Sequence, residues 1–127
     1  MKALVVDDSR AMRIIIGRVL KELGYDVVEA GHGGEALTRL EATPEVSLAM
    51  VDWNMPVMNG YELVTAVRAD ARWSNVKMVM VTTESESAQV MKALDAGADE
   101  YVMKPFTADI LREKLAMLGL TPQGGVS

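Results

Sequence analysis

The chain has 127 residues, half of them apolar and about a quarter charged, the make-up of one soluble globular domain that buries roughly two-thirds of its unfolded surface. It holds no cysteine and a single histidine, His32, which excludes disulfide frameworks, thiol nucleophiles, cysteine-ligated zinc and paired-histidine chemistry. A net charge of −5 argues against binding nucleic acid, which wants a basic footprint, so any chemistry must come from carboxylates, hydroxyls and lysine.

In chain order, residues 3–6 form a short apolar run that Asp7 and Asp8 interrupt. Bounded runs of this kind read as strands buried on both faces, the signature of a parallel sheet. The run is too short for a signal peptide or for the roughly 20 residues of a membrane span, so the expectation is a cytoplasmic protein with no membrane insertion. Met12, Ile15, Ile16, Val19, Leu20 and Leu23 follow on one helical stripe, and Gly24 stands where a helix end favours a left-handed residue. A second strand centres on Val27 and Val28. His32, among Gly31, Gly33 and Gly34, reads as an exposed turn residue before a helix over 34–40. The third strand, 48–51, ends on Asp52 and precedes a helix over 61–69. The fourth, 78–81, ends on Thr82 and Thr83, before a helix over 87–96 closed by Gly97. The fifth, 101–103, ends on Lys104 and Pro105. Its helix, 108–118, takes Thr107 as N-cap, with Asp109 favourable to the dipole in the first turn. Met12, Met50, Met78, Met80 and Met103 fall on core positions, whereas Met55 and Met58 lie in a loop open to a partner. Trp73 sits in a connecting segment without an assignable role. Residues 121–127 are rich in turn formers and read as a disordered tail to a domain over 1–120.

Five strand–helix units joined by right-handed crossovers predict an α/β fold, a doubly wound five-stranded parallel sheet flanked by five helices. Such sheets bind ligands outside the carboxyl ends of their strands. Asp7, Asp8, Asp52, Thr82 and Lys104 all stand there, delivered by four separate strands. Clustered carboxylates repel one another unless a cation or protons intervene, and oxygen ligands alone point to a hard ion, Mg2+ first. A lysine and a hydroxyl beside them suit the oxygens of a phosphoryl group. Taken singly, each residue reads as a helix cap or turn residue; together, in this order on these strands, they read as a site.

Val5-Val6-Asp7-Asp8-Ser9-Arg10, Val51-Asp52-Trp53-Asn54-Met55-Pro56 with Asn59-Gly60, Val81-Thr82, Ala96-Gly97-Ala98 and Tyr101-Val102-Met103-Lys104-Pro105-Phe106 follow one another in the chain. As an ordered set they resemble the receiver domains of two-component response regulators, over about residues 2–118. The resemblance implies the flavodoxin-like strand order 2-1-3-4-5. It implies that Asp52 is the phosphoacceptor, whose carboxylate attacks a phosphohistidine on a sensor histidine kinase or phosphotransfer protein. Mg2+ would be held by Asp8, Asp52 and the main-chain carbonyl of Asn54, with Asp7 acting through water. Lys104 would pair with the phosphoryl oxygens and Thr82 would donate its hydroxyl to one of them. The Lys104–Pro105 bond would be cis, as in the family. Inward movement of Thr82, followed by Tyr101, would alter a surface within residues 85–118 that a downstream effector reads.

Within that family, Trp53, Asn54 and Glu84 resemble the chemotaxis, CheY-like single-domain type. Asn54 and Glu84 flank the acceptor and are candidates for setting the lifetime of the phosphate. Where chemotaxis regulators are basic at the start of the fourth helix, this chain has Glu84, Ser85, Glu86 and Ser87, a departure from a surface tuned to an acidic motor peptide. The implied protein is a monomeric switch that turns over only its own phosphate, and so not an enzyme in the ordinary sense. Three other readings compete. One is a receiver module or relay intermediate of a larger regulatory system. Another is an aspartyl-phosphate phosphatase, which needs a second aspartate two residues after its nucleophile, where Ser9 and Arg10 stand here. The last is an FMN carrier, whose phosphate Asp7 and Asp8 would repel.

Overall fold

The computed structural model describes residues 1–83 and 88–120. The elements are β1 (Lys2–Val6), α1 (Arg10–Glu22), β2 (Asp26–Ala30), α2 (Gly33–Ala42), β3 (Val46–Asp52), α3 (Gly60–Arg68), β4 (Lys77–Thr82), α4 (Val90–Ala96), β5 (Glu100–Met103) and α5 (Ala108–Met117). A short 3-10 turn, Ala71–Trp73, precedes β4. The strands form one parallel sheet in the order β2-β1-β3-β4-β5, the doubly wound arrangement expected.

Alternation along the central strands feeds two cores. Leu4, Val6, Ala49, Val51, Met78 and Met80 pack under α2, α3 and α4, while Ala3, Val5, Leu48, Met50, Val79 and Val81 pack with Ile16 and Leu20 of α1 and Leu111 and Leu115 of α5. Burial on both faces holds for β1, β3 and β4 but not for the edge strands. Only Ala30 of β2 and Val102 of β5 are buried, because each edge strand has a neighbour on one side alone.

Local chemistry sets the helix ends. Ser9, Asn59 and Thr107 cap α1, α3 and α5 by accepting backbone N–H groups, and Glu62 completes a capping box at α3. His32 is exposed as expected, but it is also the N-cap of α2, its Nδ1 accepting the Glu35 N–H. Gly97 closes α4 at φ +119°, a conformation that L side chains rarely adopt.

Several side chains depart from the sequence expectations. The buried stripe of α1 centres on Ile16 and Leu20, so Ile15, about 100° further round the helix, is 53% exposed. Met103 is exposed at an edge strand, whereas Met55, expected to face a partner, is buried in the core. Met58 packs against that core too, with its side chain filling the space over Gly33. Trp73 is a core residue under the Arg72 guanidinium, which lies 4.8 Å from its ring centroid. The helix expected over 87–96 is described from Val90, and residues 84–87 and 121–127, including Glu84 and the expected tail, lie outside the described residues. Among the described residues no helix is long and apolar enough to cross a membrane.

Candidate functional site

Register places the polar residues. Val6 pairs with Val51, Asp52 with Val81 and Thr82 with Met103, so Asp7, Asp52, Thr82 and Lys104 leave adjacent strands at nearly one level. The Lys104 N–H continues the ladder by donating to the Thr82 carbonyl at 2.7 Å. The peptide bond that follows, Lys104–Pro105, is cis, as the resemblance implied. At the other end of the site, the start of α3 lies so close to Asp52 that a Cβ on Gly60 would stand 2.7 Å from the Asp52 carbonyl oxygen.

Among the described residues, and apart from the polar atoms of the aromatic Tyr25 and Trp73, the buried polar side chains are Asp7, Asp52 and Thr82, and all three are here. Apolar strands carry them inward, where a polar side chain is costly without a partner. Asp8, next to Asp7, is exposed. One carboxylate oxygen from each of Asp7, Asp8 and Asp52 lies within 4.8 Å of the others, close enough to hold one metal ion. The nearby cation is Lys104, its Nζ 3.4 Å from Asp52 Oδ1 and 3.9 Å from Asp7 Oδ2.

One ammonium group against three carboxylates leaves the site short of positive charge. Burial pushes the Asp52 carboxyl up to about 6, with the Asp7 charge adding to the rise and Lys104 and the Asn54 N–H opposing it. Asp7 is raised as well, chiefly by burial, against the pull of the Ser9 N–H and Lys104. Asp7 Oδ2 and Thr82 Oγ1 are buried without a hydrogen-bond partner. An orphaned carboxylate oxygen, an excess of negative charge and a donor set made only of oxygen fit a hard divalent cation.

The remaining sequence candidates lie around this centre. Asn54 is exposed in the loop after β3, and its N–H bonds Asp52. Trp53 is half-buried, edge-on to Tyr61 with ring centroids 6.4 Å apart. Tyr101 is paired with Met80 on the sheet and packs against the core on the α3 and α4 side. Lys114 of α5 sits 4.4 Å above the Tyr101 ring and 3.5 Å from the Glu100 carboxylate. One neighbour of the site escaped the sequence reading: Arg13 donates to the Asp7 carbonyl at 2.7 Å. Nothing in the spacing of Arg13 announces that contact, because it forms only when α1 folds back along β1.

Comparison with known proteins agrees with this geometry. The family model for the response regulator receiver domain matches residues 3–116. "Chemotaxis protein CheY1" of Helicobacter pylori is 50% identical over 119 residues, covering 93% of this chain and 96% of the relative. "Chemotaxis protein CheY homolog" of Campylobacter jejuni is 51% identical over 116 residues, covering 91% and 89%. The solved structure of Vibrio cholerae chemotaxis protein CheY4 superposes with a TM-score of 0.83 at 34% identity, over 91% of this chain and 96% of that one.

Proposed function

This chain belongs to the response regulator receiver domain family, and on that premise we propose that it is a chemotaxis-type switch phosphorylated on Asp52. The observation that carries the reading is the set of buried polar groups at one sheet edge, Asp7, Asp52 and Thr82, with Lys104 beside them.

Asp52 is the nucleophile. Its carboxylate attacks the phosphorus of a phosphohistidine on a sensor histidine kinase or phosphotransfer protein; the N–P bond breaks and an aspartyl phosphate forms. Asp8, Asp52 and the Asn54 carbonyl would hold Mg2+, with Asp7 helping through water. Such an ion would supply the charge neutralisation that a carboxylate needs to meet an anionic phosphoryl group. Lys104, already 3.4 Å from Asp52, moves onto the phosphoryl oxygens. Thr82, whose buried hydroxyl has no partner, donates to one of those oxygens.

Drawing Thr82 inward makes room for Tyr101 on the same face of the sheet. Its ring leaves the Lys114 ammonium, and the surface of α4, β5 and α5 changes shape. A downstream effector reads that surface, within residues 85–118. Asn54, and Glu84 beyond the described residues, set how long the phosphate survives. The protein acts as a monomer of one domain over residues 1–120, in the cytoplasm, without direct contact to nucleic acid, and turns over only its own phosphate.

The test is labelling with a small-molecule phosphodonor. Wild type with Mg2+ incorporates acid-labile phosphate, and Asp52→Asn or chelation abolishes it. Full labelling of Asp52→Asn would place the acceptor elsewhere.

A further inference from the structure

Asp7 is held on every side but one. Its N–H donates to the Ala30 carbonyl at 3.2 Å, and its Oδ1 accepts the Ser9 N–H at 2.9 Å. Its carbonyl accepts from the Arg13 guanidinium at 2.7 Å. Oδ2 alone has no hydrogen bond, and it is buried beside Lys104.

A guanidinium so near a cation site looks misplaced, because like charges repel across several ångströms. The opposition is reduced from β2. Arg13 Nε lies 3.0 Å from Glu29 Oε1, so part of its charge is offset there; what remains favours the ionised Asp7 carboxyl, and Nη1 adds a directed N–H to the Asp7 carbonyl. The planar fork is needed for this: Nε holds Glu29 while Nη1 holds the carbonyl, and a lysine ammonium does not reproduce both in one fixed geometry. The turn that follows β2 is tied to the next helix as well, through the Gly31 N–H donating to Glu35 Oε1 at 2.6 Å.

We infer that Arg13, clamped by Glu29, is a positioning residue: it fixes the Asp7 peptide and thereby the β1–α1 turn that presents Asp7 and Asp8 to the ion and the phosphoryl group. This rests on the metal-dependent reading proposed above. Groups that orient a metal site from outside its ligand set typically change affinity about 10- to 100-fold when removed.

The experiment is a MgCl2 titration of the full chain followed by tryptophan fluorescence, Trp53 adjoining Asp52, in wild type, Asp52→Asn, Arg13→Ala, Arg13→Lys and Glu29→Gln. Arg13→Ala is expected to raise the Mg2+ midpoint about ten-fold, with Arg13→Lys recovering only part of the loss. Glu29→Gln, which unmasks a cation, weakens binding in a way that added salt relieves, whereas the Arg13→Ala loss persists in salt. Amide exchange in the metal-free protein gives a second readout: the Ser9 N–H exchanges faster in Arg13→Ala, while core amides keep their protection. A wild-type response shared by Arg13→Ala within about two-fold, well short of the usual outer-group effect, overturns the positioning role and leaves the site reading intact. Tighter Mg2+ binding by Arg13→Ala does the same, by showing that its charge outweighs its bond. If wild type gives no saturable response, the metal reading fails and this inference falls with it.

Discussion

At the carboxyl-terminal edge of the sheet, three carboxylates converge on one ammonium group, and two buried oxygen atoms have no hydrogen-bond partner. At the amino-terminal edge a guanidinium and a carboxylate instead satisfy one another and the backbone around them, although the Tyr25 hydroxyl just before β2 is buried without a partner. Arg68, at the end of α3, donates to the carbonyls of Gly97, Trp73 and Val76 at 2.8, 3.0 and 2.7 Å, and to Asp99 Oδ2 at 2.8 Å. That Asp99 oxygen also accepts the Met78 N–H at 2.8 Å. One arginine thus ties α3, the turn before β4, the end of α4 and the start of β5, with its charge met by Asp99. The contrast separates two uses of polar groups at the sheet edges. Where polar groups join elements they satisfy one another; where they await a ligand they are left in want of it, at a cost in stability.

The largest effect is expected at Arg68. Arg68→Ala leaves Asp99 without its cation and strips donors from three carbonyls, so a loss of about 3 kcal/mol is expected in metal-free denaturant unfolding. Both partners are about a quarter exposed, which places the effect at the low end for a broken buried pair. A loss below about 0.5 kcal/mol, the size of an ordinary surface change, would mean that the amino-terminal edge is not held by this residue.

The functional edge is expected to respond with the opposite sign. Asp52→Asn removes a carboxylate that burial disfavours, and is expected to stabilise the metal-free protein by about 2 kcal/mol at pH 7. The pH dependence follows from the same group. Its folded value of about 6 lies above the ordinary carboxylate value, so the folded state binds the proton more tightly. Stability is then greatest below about pH 4 for this group, and falls as pH rises through 6. Going from pH 7 to 5 is expected to stabilise metal-free wild type by roughly 1 kcal/mol, a gradient that Asp52→Asn flattens. Thermal unfolding across that range in chelator checks the sign.

The smallest effect is expected at Lys104. Lys104→Ala removes a partly exposed cation, so the Mg2+ midpoint shifts by no more than about three-fold. Phosphorylation should nevertheless no longer alter the Tyr101 environment, as a ring-resonance measurement would read. An unaltered Tyr101 response would remove Lys104 from the switch.

Much of this was legible in the chain. Short apolar runs ending in Asp7, Asp52, Thr82 and Lys104 mark strand ends, because a buried strand tolerates polar side chains only where it emerges. Thr107 announces the start of α5 by its own hydrogen-bonding chemistry, and the structure shows Ser9 and Asn59 capping α1 and α3 in the same way. Met55 and Met103 depart from expectation for a shared reason. Periodicity states which residues share a face of one element, but not whether another element covers it. The β3–α3 loop folds inward over the sheet and buries Met55, while β5 lies at an edge and leaves Met103 open.

Residue types and their order along the chain were enough to determine the strand–helix alternation, the edge at which chemistry collects and the oxygen-rich, hard-ion character of its ligands, since these depend on side chains and on neighbours a few positions away. Long-range packing alone settles that Asp7 is buried while the adjacent Asp8 is exposed, that burial pushes the Asp52 carboxyl up to about 6, and that Arg13 reaches the Asp7 carbonyl while paired with Glu29. Those properties arise from pairing β1 with β2 and β3, strands distant in sequence. Burial and electrostatics are set by whatever long-range register brings alongside, which no local pattern encodes.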